Sequence, residues 1–490
     1  MQRNKLHVTR IRGDLLGGHT YTPIEQEDKL ERSLTNRHIQ LIAIGGAIGT
    51  GLFLGSGKNL AISGTSIILT YMIIGFFLFF IMRAMGELLL SNTNYKSFAD
   101  FATDYLGPWA GYFLGWSYWF NWITSIIADV VVIGGYFQFW FPHLPVWIPA
   151  FSSLILLGFL NLFTVKIFGE LEFWFALIKV IAIALFLIIG IYLVSTAFVS
   201  PNGVTASLSH LTERESFLPH GIGGFVAGFQ IAVFAFAGIE LVGTTAAETK
   251  DPEKTLPKAI NTIPLRILLF YVGSLICIVT IMSWSKISPS QSPFVEVFTL
   301  IGLPAAASIV NFVVATSAMS SANSGIFSTS RMLYGLAVEK DASPKFKKLS
   351  KGKVPVNSLL FSLGIVVLGT SLLFVIPNVM TVFTILAAFT SILMVFTFGM
   401  ILSSYLVYRR KRPDLHQNSI YKMPFGIAMS WICLAFLSFV VIVCAFDEDT
   451  LVALLCSPIW FIGLLITYKR RVRKDEERAW ILKHGKRIDL

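Results

Sequence analysis

Apolar residues in this chain come in long blocks, with none of the alternation that marks a half-buried strand. Stretches such as 181–193 and 365–376 show no such alternation. About 20 such residues cross the ~30 Å hydrocarbon core as a helix, whereas strands of a membrane barrel alternate polar and apolar positions. The blocks therefore predict an all-α integral membrane protein of about 12 transmembrane helices, beginning near residues 39, 66, 109, 146, 172, 222, 262, 300, 358, 381, 425 and 449. Stretches rich in Pro, Gly and Asn, or charged, separate most of them.

The polar connections fall alternately on two sides, and their charge is lopsided. One side, which includes both ends of the chain, holds 34 of the 39 basic residues. The opposite loops hold only Arg214 and Lys286, with Lys58 at a helix end. Basic residues are retained on the cytoplasmic side, so both termini are expected there, and the parity supports an even span count. The segment 1–38 is polar, without an apolar core and cleavage site, so the first span is expected to serve as an uncleaved targeting signal.

Composition sharpens this picture only a little. Of 490 residues 54% are hydrophobic and 14% charged, with a mean hydropathy of +0.70. A soluble chain carries about 25% charged residues. The net charge of +11 would suit nucleic acid, but its distribution sets topology instead, and no nucleic-acid partner is expected. Cys277, Cys433, Cys444 and Cys456 lie in apolar blocks without metal or redox spacing and read as buried small hydrophobes. No metal and no cofactor is expected.

Two spans make poor continuous helices. The first has six glycines in the thirteen residues 45–57, and each costs roughly 1 kcal/mol relative to Ala in a helix interior. GxxxG pairs, Gly45/Gly49 and Gly51/Gly55, would explain some of them by close helix packing. Their density favours unwinding at Ile48 to Gly51, with amides and carbonyls aimed into a cavity. The sixth span reads Phe234-Ala235-Phe236-Ala237-Gly238-Ile239-Glu240, and a carboxylate inside a span lines a pathway or finds a partner. The two interrupted spans are five apart, so a second five-span unit would lie inverted relative to the first. That is the pattern of secondary transporters whose broken helices meet at a midplane binding site. Free N–H groups suit a carboxylate and free carbonyls suit an ammonium, which together describe the backbone of an amino acid.

Three ionisable residues stand inside spans. Lys179 is isolated in the apolar run 173–193, where an ammonium is costly and a proton could come and go; snorkelling to the surface is the alternative. Glu240 is a second candidate for proton linkage. Asp129 is a third, either paired with Lys179 or sensing charge at the substrate. Arg83 and Glu87 are four apart in the second span and positioned to pair. There is no G-x-x-x-x-G-K-[ST] motif for ATP and no nucleophile–base constellation, so an enzyme is not expected. A polytopic membrane enzyme or a channel remains the alternative class; only a carrier shows counterflow.

Several segments resemble the bacterial amino-acid permeases of the amino acid–polyamine–organocation superfamily. They include the run from Leu34 to Phe53 with its core Gly45-Gly46-Ala47-Ile48-Gly49-Thr50-Gly51, and Met82-Arg83-Ala84-Met85-Gly86-Glu87-Leu88 in the second span. Glu172-Phe173-Trp174-Phe175-Ala176-Leu177-Ile178-Lys179-Val180 matches the fifth span, Gly238-Ile239-Glu240-Leu241 the sixth, and Asn323 to Met332 the eighth. The likeness extends from about Leu34 to about Lys469. Gly64-Thr65-Ser66 departs from the family's usual Gly-Pro at that turn.

The resemblance implies a five-plus-five inverted-repeat (LeuT-like) core with two further helices. The expected divisions are an N-terminal cytoplasmic segment 1–38, repeats at 39–200 and 222–408, two spans at 425–468 and a cytoplasmic tail at 469–490. It implies a proton-coupled importer in a bacterial inner membrane, monomeric or weakly homo-oligomeric. The substrate carboxylate would meet the amides of Gly49-Thr50-Gly51, with the Thr50 hydroxyl as an added donor. Carbonyls of Ala47 and Ile48, with one near Phe234 or Ala237, would take the ammonium, and Phe234 and Phe236 would border the pocket. Lys179 would touch the first span and couple a proton to the cycle, with Glu240 and Asp129 as further candidates. Small residues such as Ala237 and Gly238 fit glycine, alanine or serine of either hand. A permease of the same fold for an aromatic, branched or basic amino acid is the alternative.

Overall fold

The computed structural model describes residues 48–92, 95, 97–163, 165–201, 203–244, 251–446 and 448–484. The described residues form an α-helical bundle, the expected class. Ten of its segments are long and apolar enough to cross a membrane. One of these, Gly55–Ser91, is divided by a turn at Gly64–Ser66, where Gly64 has a φ of +60°. Counting its two parts, and the shorter apolar helix Trp147–Leu160, gives twelve. The departure from Gly-Pro thus sits at the reversal between the first and second spans.

The second to fifth spans are Ile67–Ser91, Pro108–Phe137, Trp147–Leu160 and Val165–Ser195. The sixth opens with Gly221–Ala232, and the seventh runs in pieces from Ile263–Arg266 to Ser274–Ile281. The eighth to twelfth are Pro304–Val338, Val356–Thr370, Val379–Lys411, Gly426–Val443 and Glu448–His484. Span starts expected from sequence agree closely among the described residues except at the fifth span, which starts seven residues before 172; the first, expected near 39, lies outside them. Charge at Glu172 reads as an end, but the side chain is buried and hydrogen-bonded, so the helix continues through it. The last helix passes 469 and continues to His484 without a break.

Burial ranks the helices. The most apolar stretch of the third span is 83% buried and that of the twelfth 22%, so the third is central and the twelfth peripheral. The third packs along the eighth and the tenth. Gly325 of the eighth lies against Trp122 and Ile126 of the third, where a side chain would not fit, and so lets these two helices approach closely. Three cysteines are buried as expected, whereas Cys456 is exposed on the peripheral twelfth helix.

Candidate functional site

At both places singled out by glycine the described backbone is non-helical, at Gly49 and at Ala237–Gly238, and the two segments touch. In the first span Gly49 is extended (φ −132°, ψ −161°), a single turn follows at Thr50–Phe53, and the helix resumes at Gly55–Ser63. The described helix therefore begins at Thr50 after extended backbone at Gly49, and the amides of Thr50 and Gly51 lie in its first turn, where a helix supplies no acceptor of its own. Ala47 lies outside the described residues, as does the start of the span.

In the sixth span the helix gives way to a tight turn at Phe234–Phe236, then extended backbone at Ala237 (ψ 136°) and a positive φ at Gly238 (+97°) before Leu241–Thr244. A Cβ on Gly51 would stand 2.5 Å from the Ala235 Cα and 2.8 Å from its nitrogen. Only glycine allows the two broken backbones to come this close.

Each interruption is held by side chains from other spans. Lys179 is fully buried, and its Nζ donates to the Ile48 carbonyl at 3.0 Å. The Ser317 hydroxyl donates to the same oxygen at 3.0 Å. Lys179 therefore reaches inward to the first span and does not snorkel. The Ile48 carbonyl, expected as an acceptor for a substrate ammonium, is occupied by these two donors. The Thr50 hydroxyl is likewise engaged, donating to Asp129 Oδ1 at 2.6 Å, and so is not the free donor foreseen beside the amides. Asp129 Oδ2 has no hydrogen-bond partner among the described residues. Asp129 interacts electrostatically with Lys179, while its hydrogen bond goes to the first span.

The sixth-span break is tied down differently. Glu240 folds back on it, Oε2 accepting from the Gly238 amide at 3.1 Å and Oε1 from the Tyr118 hydroxyl at 3.3 Å. The Phe234 carbonyl accepts from the Ala237 amide at 3.0 Å, closing the tight turn. Phe234 packs edge-on against Phe383 and lies beside Gly51. Phe236 is stacked on Tyr271, with centroids 4.7 Å apart, and also touches Tyr71. Ala237, directly after Phe236, is only partly buried.

Besides Ser317 and Tyr118, sequence reasoning missed two further contributors. Tyr271 sits in a π-helical stretch of the seventh span, Ile267–Gly273, and its hydroxyl donates to the Ala235 carbonyl at 3.0 Å. Single π turns recur at functional sites because they re-aim one side chain. Glu172, buried in the fifth span, accepts from Ser320 Oγ and Asn323 Nδ2, both at 2.8 Å. Asn161 extends this network, donating to Asn323 Oδ1 at 2.6 Å. The available signal was spacing: Glu172 precedes Lys179 by two helical turns, which places them on one face.

The Arg83–Glu87 pairing is not formed. Glu87 accepts instead from Met423 N at 2.7 Å and the Tyr405 hydroxyl at 3.1 Å, with His416 Nδ1 at 2.5 Å. Arg83 donates to Asn261 Oδ1 at 2.8 Å and to the Lys422 carbonyl, and lies over the Tyr421 ring. Both are claimed by the connection between the tenth and eleventh spans.

A polytopic helical bundle with two interrupted spans in backbone contact, lined by buried ionisable groups, defines a membrane carrier. The sequence model for the amino acid permease family matches residues 38–481, and the chain belongs to that family. It is thus a multi-pass amino-acid transporter and not an enzyme. Among its relatives, the D-serine/D-alanine/glycine transporter of Escherichia coli (strain K12) is 60% identical over 438 residues, 89% of this chain and 93% of that protein. Amino-acid permease AapA of Bacillus subtilis (strain 168) is 49% identical, over 94% of this chain and 100% of the relative. Serine permease SerP1 of Lactococcus lactis subsp. cremoris (strain MG1363) is 42% identical, over 91% and 99%.

Proposed function

We propose that this chain is a proton-coupled importer of glycine, D-alanine and D-serine. It works by alternating access in a bacterial inner membrane, with both termini in the cytoplasm. The observation that carries the mechanism is the contact of the two helix breaks at Gly51 and Ala235. Backbone held open at one place by two helices suits a closed site for a small zwitterion better than a continuous pore. The substrates follow those for which the 60%-identical relatives are named.

In this reading the amides of Gly49, Thr50 and Gly51 receive the substrate carboxylate, and carbonyls near Ala47 and Ala237 its ammonium. Phe234 borders the pocket, while Phe236 backs it through Tyr271. Lys179 couples the proton: charged, it holds the Ile48 carbonyl beside the break, and neutral, it releases part of that hold. Asp129 acts through Thr50 on the same turn, and Glu240 stabilises the sixth-span break. Two inverted repeats, 39–200 and 222–408, would move against each other around this point. Serine itself is a second candidate substrate, since a 42%-identical relative is named a serine permease.

The test is uptake of labelled glycine, D-alanine and D-serine into proteoliposomes, with and without an inward proton gradient. Gradient-driven accumulation of one, competed by the other two and not by lysine or phenylalanine, is the expected result. Preparations that exchange L-serine but none of the three would remove the assignment.

A further inference from the structure

Where the tenth span ends and the eleventh begins, the fold leaves an open cleft of about 420 Å³. Arg409, His416 and Lys422 line it together with Gly426, Ile427 and Ala428, the first turn of the eighteen-residue eleventh helix. The Arg409 guanidinium lies against the Cα of Gly426, whose φ is +41°, so that cation sits across the helix start. This is an unfavourable arrangement by itself. A helix N-terminus carries partial positive charge and favours anions, and here it meets a cation. No side chain caps the helix, and no acidic residue stands in its first turn.

The surroundings do not neutralise this charge. Arg409 Nη1 donates to the Tyr405 hydroxyl at 3.0 Å and forms no ion pair among the described residues. Lys422 is exposed, its Nζ donating to the Gln417 carbonyl at 2.9 Å. The nearby carboxylate, Glu87, is buried behind His416 and already accepts from His416, Tyr405 and the Met423 amide. Asp414 faces Arg412. Two cations and the uncapped helix start thus converge on one open cleft, with Glu87 answering only His416.

The rim of the cleft decides what kind of anion. Of the lining residues Phe425 is 77% exposed and Ile427 is also exposed, and Trp431, one helical turn beyond Ile427, is 61% exposed. A water-soluble anion gains nothing from such a border, whereas acyl chains would cover it. We propose that this cleft binds the headgroup of an anionic phospholipid, its phosphate between Arg409, Lys422 and the amides of the eleventh helix. Its chains would lie along Ile427 and Trp431. Guanidinium–phosphate pairing and helix-start amides are both common ways to hold phosphate, and basic pockets between spans hold anionic headgroups. The site is separate from the helix breaks and does not depend on which amino acid is carried.

The experiment uses the full-length protein in mild detergent. Native mass spectrometry measures retention of added phosphatidylglycerol, of phosphatidylethanolamine and of inorganic phosphate. One phosphatidylglycerol should be held at concentrations where phosphatidylethanolamine is not. Arg409→Gln and, independently, Lys422→Gln should each weaken it about tenfold, the equivalent of one charge-assisted contact. Lys422 is exposed, so its variant reads the site even if Arg409→Gln proves unstable. Equal retention of the two lipids, undiminished phosphatidylglycerol binding by Lys422→Gln, or displacement of the lipid by millimolar inorganic phosphate would each overturn the proposal.

Discussion

Adding one methyl group at Gly51 is the sharpest probe of the idea that two helix breaks must touch. In the structure the new Cβ of Gly51→Ala would sit 2.5 Å from the Ala235 Cα, where ordinary contact begins at 3.4 Å. The first and sixth spans would have to separate by about 1 Å, since the obstacle is backbone and cannot rotate away. Misplacing reacting or binding groups by 1 Å costs on the order of 10²-fold in well-organised sites. Overpacking itself costs about 1–3 kcal/mol, which a large bundle tolerates. The expected outcome is therefore a folded protein with transport lowered about a hundredfold. Counterflow of labelled glycine in proteoliposomes reads the transport, and thermal unfolding in detergent reads the fold. Gly399→Ala, in the tenth span with nothing within 4 Å of its Cβ, is the matched control and should transport normally. Wild-type counterflow in Gly51→Ala would refute the claim that close approach of these backbones is needed.

Other expectations follow from the same geometry. Lys179→Gln keeps a donor near the Ile48 carbonyl but removes the charge, so accumulation driven by a proton gradient should vanish while counterflow persists; parallel measurements in one proteoliposome preparation check this. Tyr271→Phe loses the bond to the Ala235 carbonyl, about 0.5–1.5 kcal/mol, but keeps the stack on Phe236. Its apparent KM for substrate should rise by up to roughly tenfold with little change in unfolding temperature. Glu172→Ala leaves the Ser320 and Asn323 donors without their acceptor at about 1–3 kcal/mol each, whereas Glu172→Gln keeps one acceptor oxygen. Unfolding midpoints should therefore fall in the order wild type, Glu172→Gln, Glu172→Ala.

Hydrophobic block length made the span count readable, because a bilayer imposes one length on every crossing helix. Glycine density made the first break readable, and Gly238 beside Glu240 the second, since both conflict locally with a continuous apolar helix. Partner choice was far less legible. Arg83 and Glu87 look like a helical pair from their spacing, yet Glu87 is taken by Met423, 336 positions away. Thr50 looks like a substrate donor until Asp129 is seen, 79 positions away, accepting its hydrogen bond. Lys179 was expected at the first span, and it is there, but on the carbonyl expected to serve the substrate. Such bonds depend on which helix faces land together, which local pattern does not encode. Glu172 shows the opposite error: a charge in a nearly apolar run reads as the edge of the membrane, when neutral donors from a distant helix have absorbed it.

The π-helical stretch at Ile267–Gly273 has a consequence for the chain's rotational register. An α-helix turns about 100° per residue, so a widened turn offsets everything beyond it relative to an unbroken helix. Asn261, before the stretch, meets Arg83 on the second span. Tyr271, within it, meets Ala235 on the sixth. Deleting one lipid-facing residue, such as the exposed Leu269, would let the helix close to regular α geometry without creating any cavity. The two anchors would then point about 100° apart from their present alignment, and one would have to let go. A single superfluous residue thus phases the seventh span, so that one helix can serve the membrane edge and the centre of the bundle at once.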